Sequence, residues 1–381
     1  MLEKAEMDEA LALLHTMISC DTVNPPGNEK KLALQLQDIL INENIDCQID
    51  EFATNRANLI FTIKGQEKGK ALLVTGHLDT VPPGEMPWQY DPFLGAIENG
   101  YVYGRGVSDM KGSDAAMLYA IVRLKRKGIV PKQDVVFLAT ADEELSCLGA
   151  KRFVEQEGMV NIGAVLVGEP SDGDLLLAHK GAAWVEVTTY GQTAHGSMPN
   201  LGVNAIMAMN DFLSAFTKQK FNIEPHPVLG MPTYSIDKVK GGVAINVVPD
   251  SCTCSIDFRT IPGQRKEDIE TMLKAAFAEA KMNNKKFSAE YKFRCLLPSV
   301  SCPAGDKIID YAQQAAGKKL KQRGVNYFTD ASSLIGEKNL PMIIYGPGAD
   351  SQAHQPNEKL SLDNFFKAIE FYENFISNYK I

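Results

Sequence analysis

No stretch of this chain approaches the roughly 18 to 20 consecutive apolar residues that a helix needs to cross a bilayer, so no membrane-spanning helix is expected. Cysteine is present but unorganised: seven residues, an odd number at irregular spacing without a CxxC pair, make neither a disulfide framework nor a thiolate metal site. Cys252 and Cys254, two apart in a strand-like stretch, are expected to share one face as buried core thiols. Positive charge is also short. The 39 Lys and Arg against 47 Asp and Glu leave a net charge of −8 with no basic stripe, which argues against nucleic acid as a ligand. The opening MLEKAEMDEA is acidic and polar rather than a secretory signal, so the expected location is the cytoplasm. There is no internal repeat and no low-complexity tract. Gly104-Arg-Gly106 precedes a helix but lacks the rest of the dinucleotide-binding fingerprint, which sets a Rossmann cofactor enzyme aside.

What is present is apolar material for a sizeable core: 45% of 381 residues are hydrophobic, and the length predicts two domains. Helical spacing over 7–18 is broken by Asn24-Pro-Pro-Gly27, and a second helix is predicted over 28–40. Strand-like apolar runs follow at 58–63, 71–75, 134–140 and 164–167, with a helix at 112–127 between the two pairs. This alternation predicts an α/β domain with a mixed, largely parallel sheet flanked by helices, its binding residues at the strand ends. From Gly181 the rhythm changes to strand, helix, two strands, helix and strand, ending near 293. That order suits a smaller α+β domain over 181–293, inserted between the two parts of the larger one, 1–180 and 294–381.

The chemistry-bearing residues follow or end the apolar runs. His77-Leu-Asp79 closes the run 71–75; residues two apart face one side of an extended segment, so Asp79 is placed to hold the His77 ring while its other nitrogen binds a metal. Asp109, in the glycine-studded loop Gly104–Gly112, reads either as a helix N-cap or as a carboxylate presenting both oxygens to two ions. Glu143 and Glu144 follow the strand at 134–140; adjacent side chains point differently, so one can bind metal while the other keeps an oxygen free to accept a proton. Glu169 stands in Gly168-Glu-Pro170 after the run 164–167, and His354 in the Gly- and Pro-flanked loop 346–356. Two imidazoles and several carboxylates describe a hard to borderline metal site with a base beside it. Oxygen and imidazole donors accept zinc, cobalt or manganese. In the inserted domain, His195 lies in a loop after a strand, and Asn246 and Arg259 supply an amide and a guanidinium. Arg259 reads either as a bidentate partner for a substrate carboxylate or as half of a surface ion pair.

Taken together, His77-Leu-Asp79, Ser108-Asp-Met-Lys-Gly112, Asp142-Glu-Glu144, Gly168-Glu-Pro170 and Gln352-Ala-His354, in this order, resemble the metallohydrolase superfamily of acetylornithine deacetylase, succinyl-diaminopimelate desuccinylase, aminoacylase and carboxypeptidase G. The resemblance covers nearly the whole chain. It implies a catalytic domain holding two zinc ions and a lid domain through which two copies form a homodimer. His77 and Glu169 would bind one ion, Glu144 and His354 the other, and Asp109 both; Asp79 would orient His77. Glu143 would be the general base, and His195 would reach the partner's site to steady an oxyanion. Asn246 and Arg259 match substrate-contacting positions. Ala178-His-Lys-Gly181 and Gly202-Val-Asn-Ala-Ile206 are similar to the deacetylase branch, whereas Phe328-Thr-Asp-Ala-Ser332 departs from the glycine-rich stretch of the desuccinylase. The implied activity is removal of an acyl group from an N-acyl amino acid or diamino acid. The alternatives are a metal-dependent di- or tripeptidase or carboxypeptidase of the same superfamily and, more remotely, a non-catalytic metal-dependent binding protein.

Overall fold

The computed structural model describes residues 2–336 and 338–380, and the chain forms two compact units. The first runs to Ala178 and resumes over Ser301–Gly324 and from Thr329 onward; the second comprises His179–Val300 and Val325–Phe328. The return to the first unit thus falls at 301 rather than at 294. The cause is a longer strand: Ser288–Leu297 stays paired with Gly181–Tyr190 as far as Leu297 opposite Ala182, which holds the chain in the second unit.

The first unit is built on a mixed sheet whose centre is parallel. Strands Val135–Thr140, Ala71–His77, Ile162–Val167 and Met342–Ile344 lie side by side in that order, each parallel to the next. Almost every residue of these four strands is buried, the composition required when helices cover both faces of a parallel sheet. Antiparallel strands extend it, Arg56–Ile63 and Gln48–Ala53 on one side and Leu175–His179 on the other. The helix Lys111–Arg126 is buried from Lys111 to Leu124 and packs against Leu362–Asn378 and Lys4–Ser19; Arg123, Lys125 and Arg126 in its last turn complement the negative end of its dipole. Because the four central strands are parallel, their carboxyl ends emerge at one edge, where ligands bind in open α/β sheets. His77, the turn 142–144, Glu169 and the loop leading to His354 all leave from that edge.

The second unit is a four-stranded antiparallel sheet in the order Thr233–Gly241, Ser251–Thr260, Gly181–Tyr190, Ser288–Leu297. Strict alternation along Ser251–Thr260 puts Cys252, Cys254, Ile256 and Phe258 on one face. There they share a core with Ala208, Phe212 and Phe216 of helix Ala205–Phe216 and with Ile269 and Leu273 of helix Lys266–Asn283. Asn204 caps the first of these helices by accepting the Ile206 and Met207 N–H groups. Among the described residues no helix is long and apolar enough to cross a membrane.

Candidate metal centre

Five side chains from four strand ends and one loop converge in the first unit. His77 Nε2 lies 3.2 Å from Asp109 Oδ1 and 3.8 Å from Glu169 Oε1. His354 Nε2 lies 2.9 Å from Glu144 Oε2 and 3.4 Å from Asp109 Oδ2. Asp109 therefore turns one oxygen toward each imidazole. Ligand atoms of His77, Asp109 and Glu144 all fall within 4.8 Å of one another, and so do those of His77, Glu143 and Glu169.

Local structure explains how each group is presented. Asp109 is not an N-cap: the cap position of helix Lys111–Arg126 is Met110. Its loop is held by Glu358, a buried carboxylate that accepts the Gly106, Ser108 and Asp109 N–H groups at 3.0, 2.7 and 3.0 Å and the Arg105 guanidinium at 2.6 Å. Those donors are what make a fully buried carboxylate tolerable. Asp79 differs from the expectation that its carboxylate orients His77. The His77 Nδ1–H donates to the Asp79 backbone carbonyl at 3.0 Å, while the nearer carboxylate oxygen stands off at 3.7 Å. The carboxylate is spent elsewhere, accepting the Glu143 and Glu144 N–H groups at 3.1 and 3.2 Å and the Asn24 amide at 2.9 Å. Asp79 thus ties the strand end bearing His77 to the turn bearing both glutamates.

The electrostatics of this cluster call for added positive charge. Burial pushes the Glu143 carboxyl well above its ordinary range, as does the neighbouring Glu169; burial and then Asp109 do the same to Glu169. Burial opposes a charge on His77, yet the hydrogen bond to Asp109 and the carboxylates of Glu169 and Glu143 raise its pKa well above the usual imidazole value. Hydrogen bonds to Asp109 and Glu144 lift His354 to about 10. Asp109 goes the other way: burial works against its charge, but the His354 and His77 contacts hold it below the ordinary carboxylate range. The neighbouring carboxylates thus favour the protonated, positive form of both imidazoles. Divalent cations displace such protons, and imidazole with carboxylate is a donor set that zinc, cobalt or manganese accepts. Glu144 Oε1, buried without a hydrogen-bond partner among the described residues, is a further donor with nothing else to bind. The His354 side chain is 52% exposed, so the cluster is open on one side, as a catalytic rather than structural site requires.

The remaining predicted residues belong to the second unit. His195 is exposed, and its Nδ1 accepts the Ser197 N–H at 3.2 Å and lies 2.8 Å from the Ser197 hydroxyl, which puts an N–H donor on Nε2. Asn246 lies beside it, its backbone carbonyl accepting the Gly196 N–H at 2.7 Å. Arg259 Nη2 lies 3.0 Å from Asp257 Oδ2, and its guanidinium lies 5.9 Å from the Phe328 ring centroid. Sequence reasoning missed Glu358, Asn24, Arg56 and Asp142. Asn24, Asp142 and Glu358 stand in or beside Asn-Pro-Pro-Gly, Asp-Glu-Glu and His-Gln-Pro, whereas nothing in the sequence around Arg56 marks it.

Comparison with known proteins agrees with this geometry. The model of peptidase family M20/M25/M40 matches residues 73–378. An acetylornithine deacetylase of Buchnera aphidicola subsp. Acyrthosiphon pisum is 33% identical over 316 residues, 81% of this chain and 80% of that protein. A probable succinyl-diaminopimelate desuccinylase of Staphylococcus epidermidis is 26% identical over 407 residues, 98% of each. Among solved structures, the Bacillus subtilis YXEP protein, described as a dinuclear metal-binding peptidase from the M20 family, superposes with a TM-score of 0.77 at 16% identity over 98% of both chains. A family match over most of the chain, together with imidazoles and carboxylates gathered at the carboxyl edge of a parallel sheet, leads to one conclusion: the chain belongs to peptidase family M20/M25/M40 and is a metal-dependent hydrolase.

Proposed function

We propose that this hydrolase removes the acyl group from an N-acyl amino acid or diamino acid, in the manner of acetylornithine deacetylase and succinyl-diaminopimelate desuccinylase, and that it does so in the cytoplasm with two zinc ions. The observation that carries the dinuclear reading is Asp109, whose two oxygens face His77 and His354 separately. One ion would be held by His77 and Glu169, the other by Glu144 and His354, with Asp109 shared. Zinc, or cobalt or manganese in its place, supplies Lewis acidity that brings the pKa of water toward ~7.

The chain's own residues do the rest. Glu143, buried beside Glu169 and His77, accepts the proton of the attacking water and delivers it to the departing amine nitrogen, a role worth about 10²–10⁴ in rate. Asp79 fixes the backbone of Glu143 and holds His77 through its carbonyl. His195 donates its Nε2 proton to the oxyanion of the partner subunit's reaction, and the loss of such a donor typically costs on the order of 10²–10³. Arg259 and Asn246 receive the polar end of the substrate. Formation of a homodimer through the second unit is supported by its surface: Val243 is 86% exposed and Ile245 fully so, just after strand Thr233–Gly241, which stands at the edge of its sheet among the described residues.

The experiment is a substrate screen on metal-reconstituted protein, with N-acetylornithine, N-succinyl-diaminopimelate and a panel of di- and tripeptides side by side. Acyl amino acids are expected to be hydrolysed best, and Glu143→Ala to abolish turnover while metal content stays at the parent level. Preferential cleavage of peptides would favour the second reading, to which the peptidase description of the YXEP protein points. Loss of metal together with activity would reassign Glu143 as a ligand.

A further inference from the structure

Beneath the proposed base lies a buried chain of charged groups with no ligand role. Asp142, which starts the Asp-Glu-Glu turn, adopts φ of +70°, a left-handed conformation that a non-glycine residue takes up only when its surroundings enforce it. Its surroundings do. Asp142 Oδ1 accepts the Asn24 amide at 3.0 Å and Arg56 Nη2 at 2.8 Å, and Oδ2 accepts the Ser146 hydroxyl. Its carbonyl accepts the Ser146 and Cys147 N–H groups at 3.1 and 2.6 Å. Arg56 is fixed in turn by a two-pronged pair with Glu29, at 2.8 Å from Nε and 2.7 Å from Nη2. Glu29 is fully buried. The Arg56 guanidinium passes over Gly27, where a Cβ would come within 2.4 Å of Arg56 Nε, so the Asn-Pro-Pro-Gly segment leaves the space the guanidinium uses. Asn24 closes the loop by donating its amide to both Asp142 and Asp79.

We propose that Arg56 is a positioning residue for the hydrolytic reaction: anchored on Glu29, it clamps Asp142 in its left-handed conformation and so fixes the directions in which Glu143 and Glu144 leave the turn. This rests on the proposed roles of those two glutamates. A bland structural account, in which the Glu29–Arg56 pair merely holds helix Glu29–Asn42 against strand Arg56–Ile63, does not require the second contact of Arg56 with Asp142 or the amide of Asn24 bridging two acids. The clamp acts on both neighbours at once, so its loss has two signatures: slower proton transfer through Glu143, and weaker hold on the metal by Glu144.

The test uses the full-length, metal-loaded protein with Arg56→Met, Arg56→Lys, Asp142→Asn and the double variant Arg56→Met/Asp142→Asn. On the best substrate of the screen, Arg56→Met and Asp142→Asn should each lower kcat about 10- to 100-fold with KM within about threefold of the parent, the usual cost of losing an outer-layer partner. Arg56→Lys should recover part of that loss. The double variant should be no worse than either single one, the mark of residues acting as a unit. Independently of turnover, titration with a chelator should release one metal ion per chain at a roughly tenfold lower chelator concentration in Arg56→Met than in the parent. A parent protein that hydrolyses nothing in the screen would sink the deacylase reading but leave the chelator measurement able to judge the clamp. Unchanged kcat and an unchanged chelator profile, in a variant that is folded by circular dichroism, would overturn the proposal even if its Tm fell. If Arg56→Met does not fold, Asp142→Asn, which keeps the side-chain volume, tests the clamp by the same two measurements.

Discussion

Adjacent side chains do different work here because a turn, not a strand, carries them. Glu144 meets His354 at 2.9 Å, whereas Glu143 lies among His77 and Glu169. A residue outside the proposed ligand set shows how completely burial sets the state of a group. His179 is fully buried, its Nδ1–H donates to the Lys180 carbonyl at 2.9 Å, and its Nε2 has no hydrogen-bond partner among the described residues. A proton on Nε2 would face no acceptor, and burial pushes the pKa from 6.5 down to about 4. The ring is therefore neutral in the fold over a range in which the unfolded chain takes up a proton. The sign follows from linkage: the unfolded state binds the extra proton, so stability is lost as pH falls from about 6.5 to about 4, by up to about 3 kcal/mol. Urea denaturation at a series of pH values should show this limb in the parent, and His179→Asn, which retains a short donor toward the Lys180 carbonyl, should lack it. A parallel pH dependence in both proteins would mean that His179 is not its source.

Elements, unlike single residues, are governed by how closely their backbones approach. The loop after strand Met342–Ile344 carries His354 past the loop that carries Asp109, and the two touch at Gly348, where a Cβ would lie 2.4 Å from the Ser108 carbonyl oxygen. Gly348→Ala must push these loops apart, at a cost of about 1–3 kcal/mol for overpacking. The same displacement separates His354 from Asp109. The expected outcome is a lower Tm together with release of one metal ion per chain at roughly tenfold lower chelator; a lower Tm with unchanged metal retention would show that the loops relax elsewhere. Close approaches of this kind were only partly legible in the sequence. Three of the four central strands were, because a parallel strand buried on both faces must be continuously apolar, and the runs at 71–75, 134–140 and 164–167 are. Strands Ala96–Glu98, Tyr101–Tyr103 and Lys359–Ser361, which form a small separate sheet, were not, since three residues show no period. Helix Lys307–Ala316 ends where it does because Gly317 takes φ of +62°, which no periodicity announces. Within the site, the acid and imidazole clusters stood out because each follows an apolar run. Glu29, Arg56 and Glu358 did not, since a buried charge and a surface charge look alike until residues as far apart as 250 positions in the chain are brought together.

At the scale of the whole molecule, the second unit offers an apolar surface, and a symmetric pair is the commonest way for a soluble chain to bury one. Met198, Leu201, Ile206, Met207, Val239, Val243 and Ile245 are all exposed. Met198 and Leu201 lie within a few residues of His195 in the chain, so a second copy docked over them would come close to that imidazole. If His195 serves the partner's reaction, Glu143→Ala and His195→Ala each inactivate a homodimer for different reasons. In a mixed dimer, the His195→Ala chain keeps its own Glu143 and receives His195 from its partner, which makes one of the two sites complete. Random re-pairing of equal amounts puts half of the dimers in mixed form, so the mixture should recover roughly a quarter of parent activity from two inactive proteins. Each variant is first checked for parent-level dimerisation by sedimentation, and subunit exchange is promoted by dilution and reconcentration. Recovery near a quarter supports action in trans. Exchange without recovery would confine His195 to its own chain, where its Nε2–H would have to find an acceptor in the same subunit.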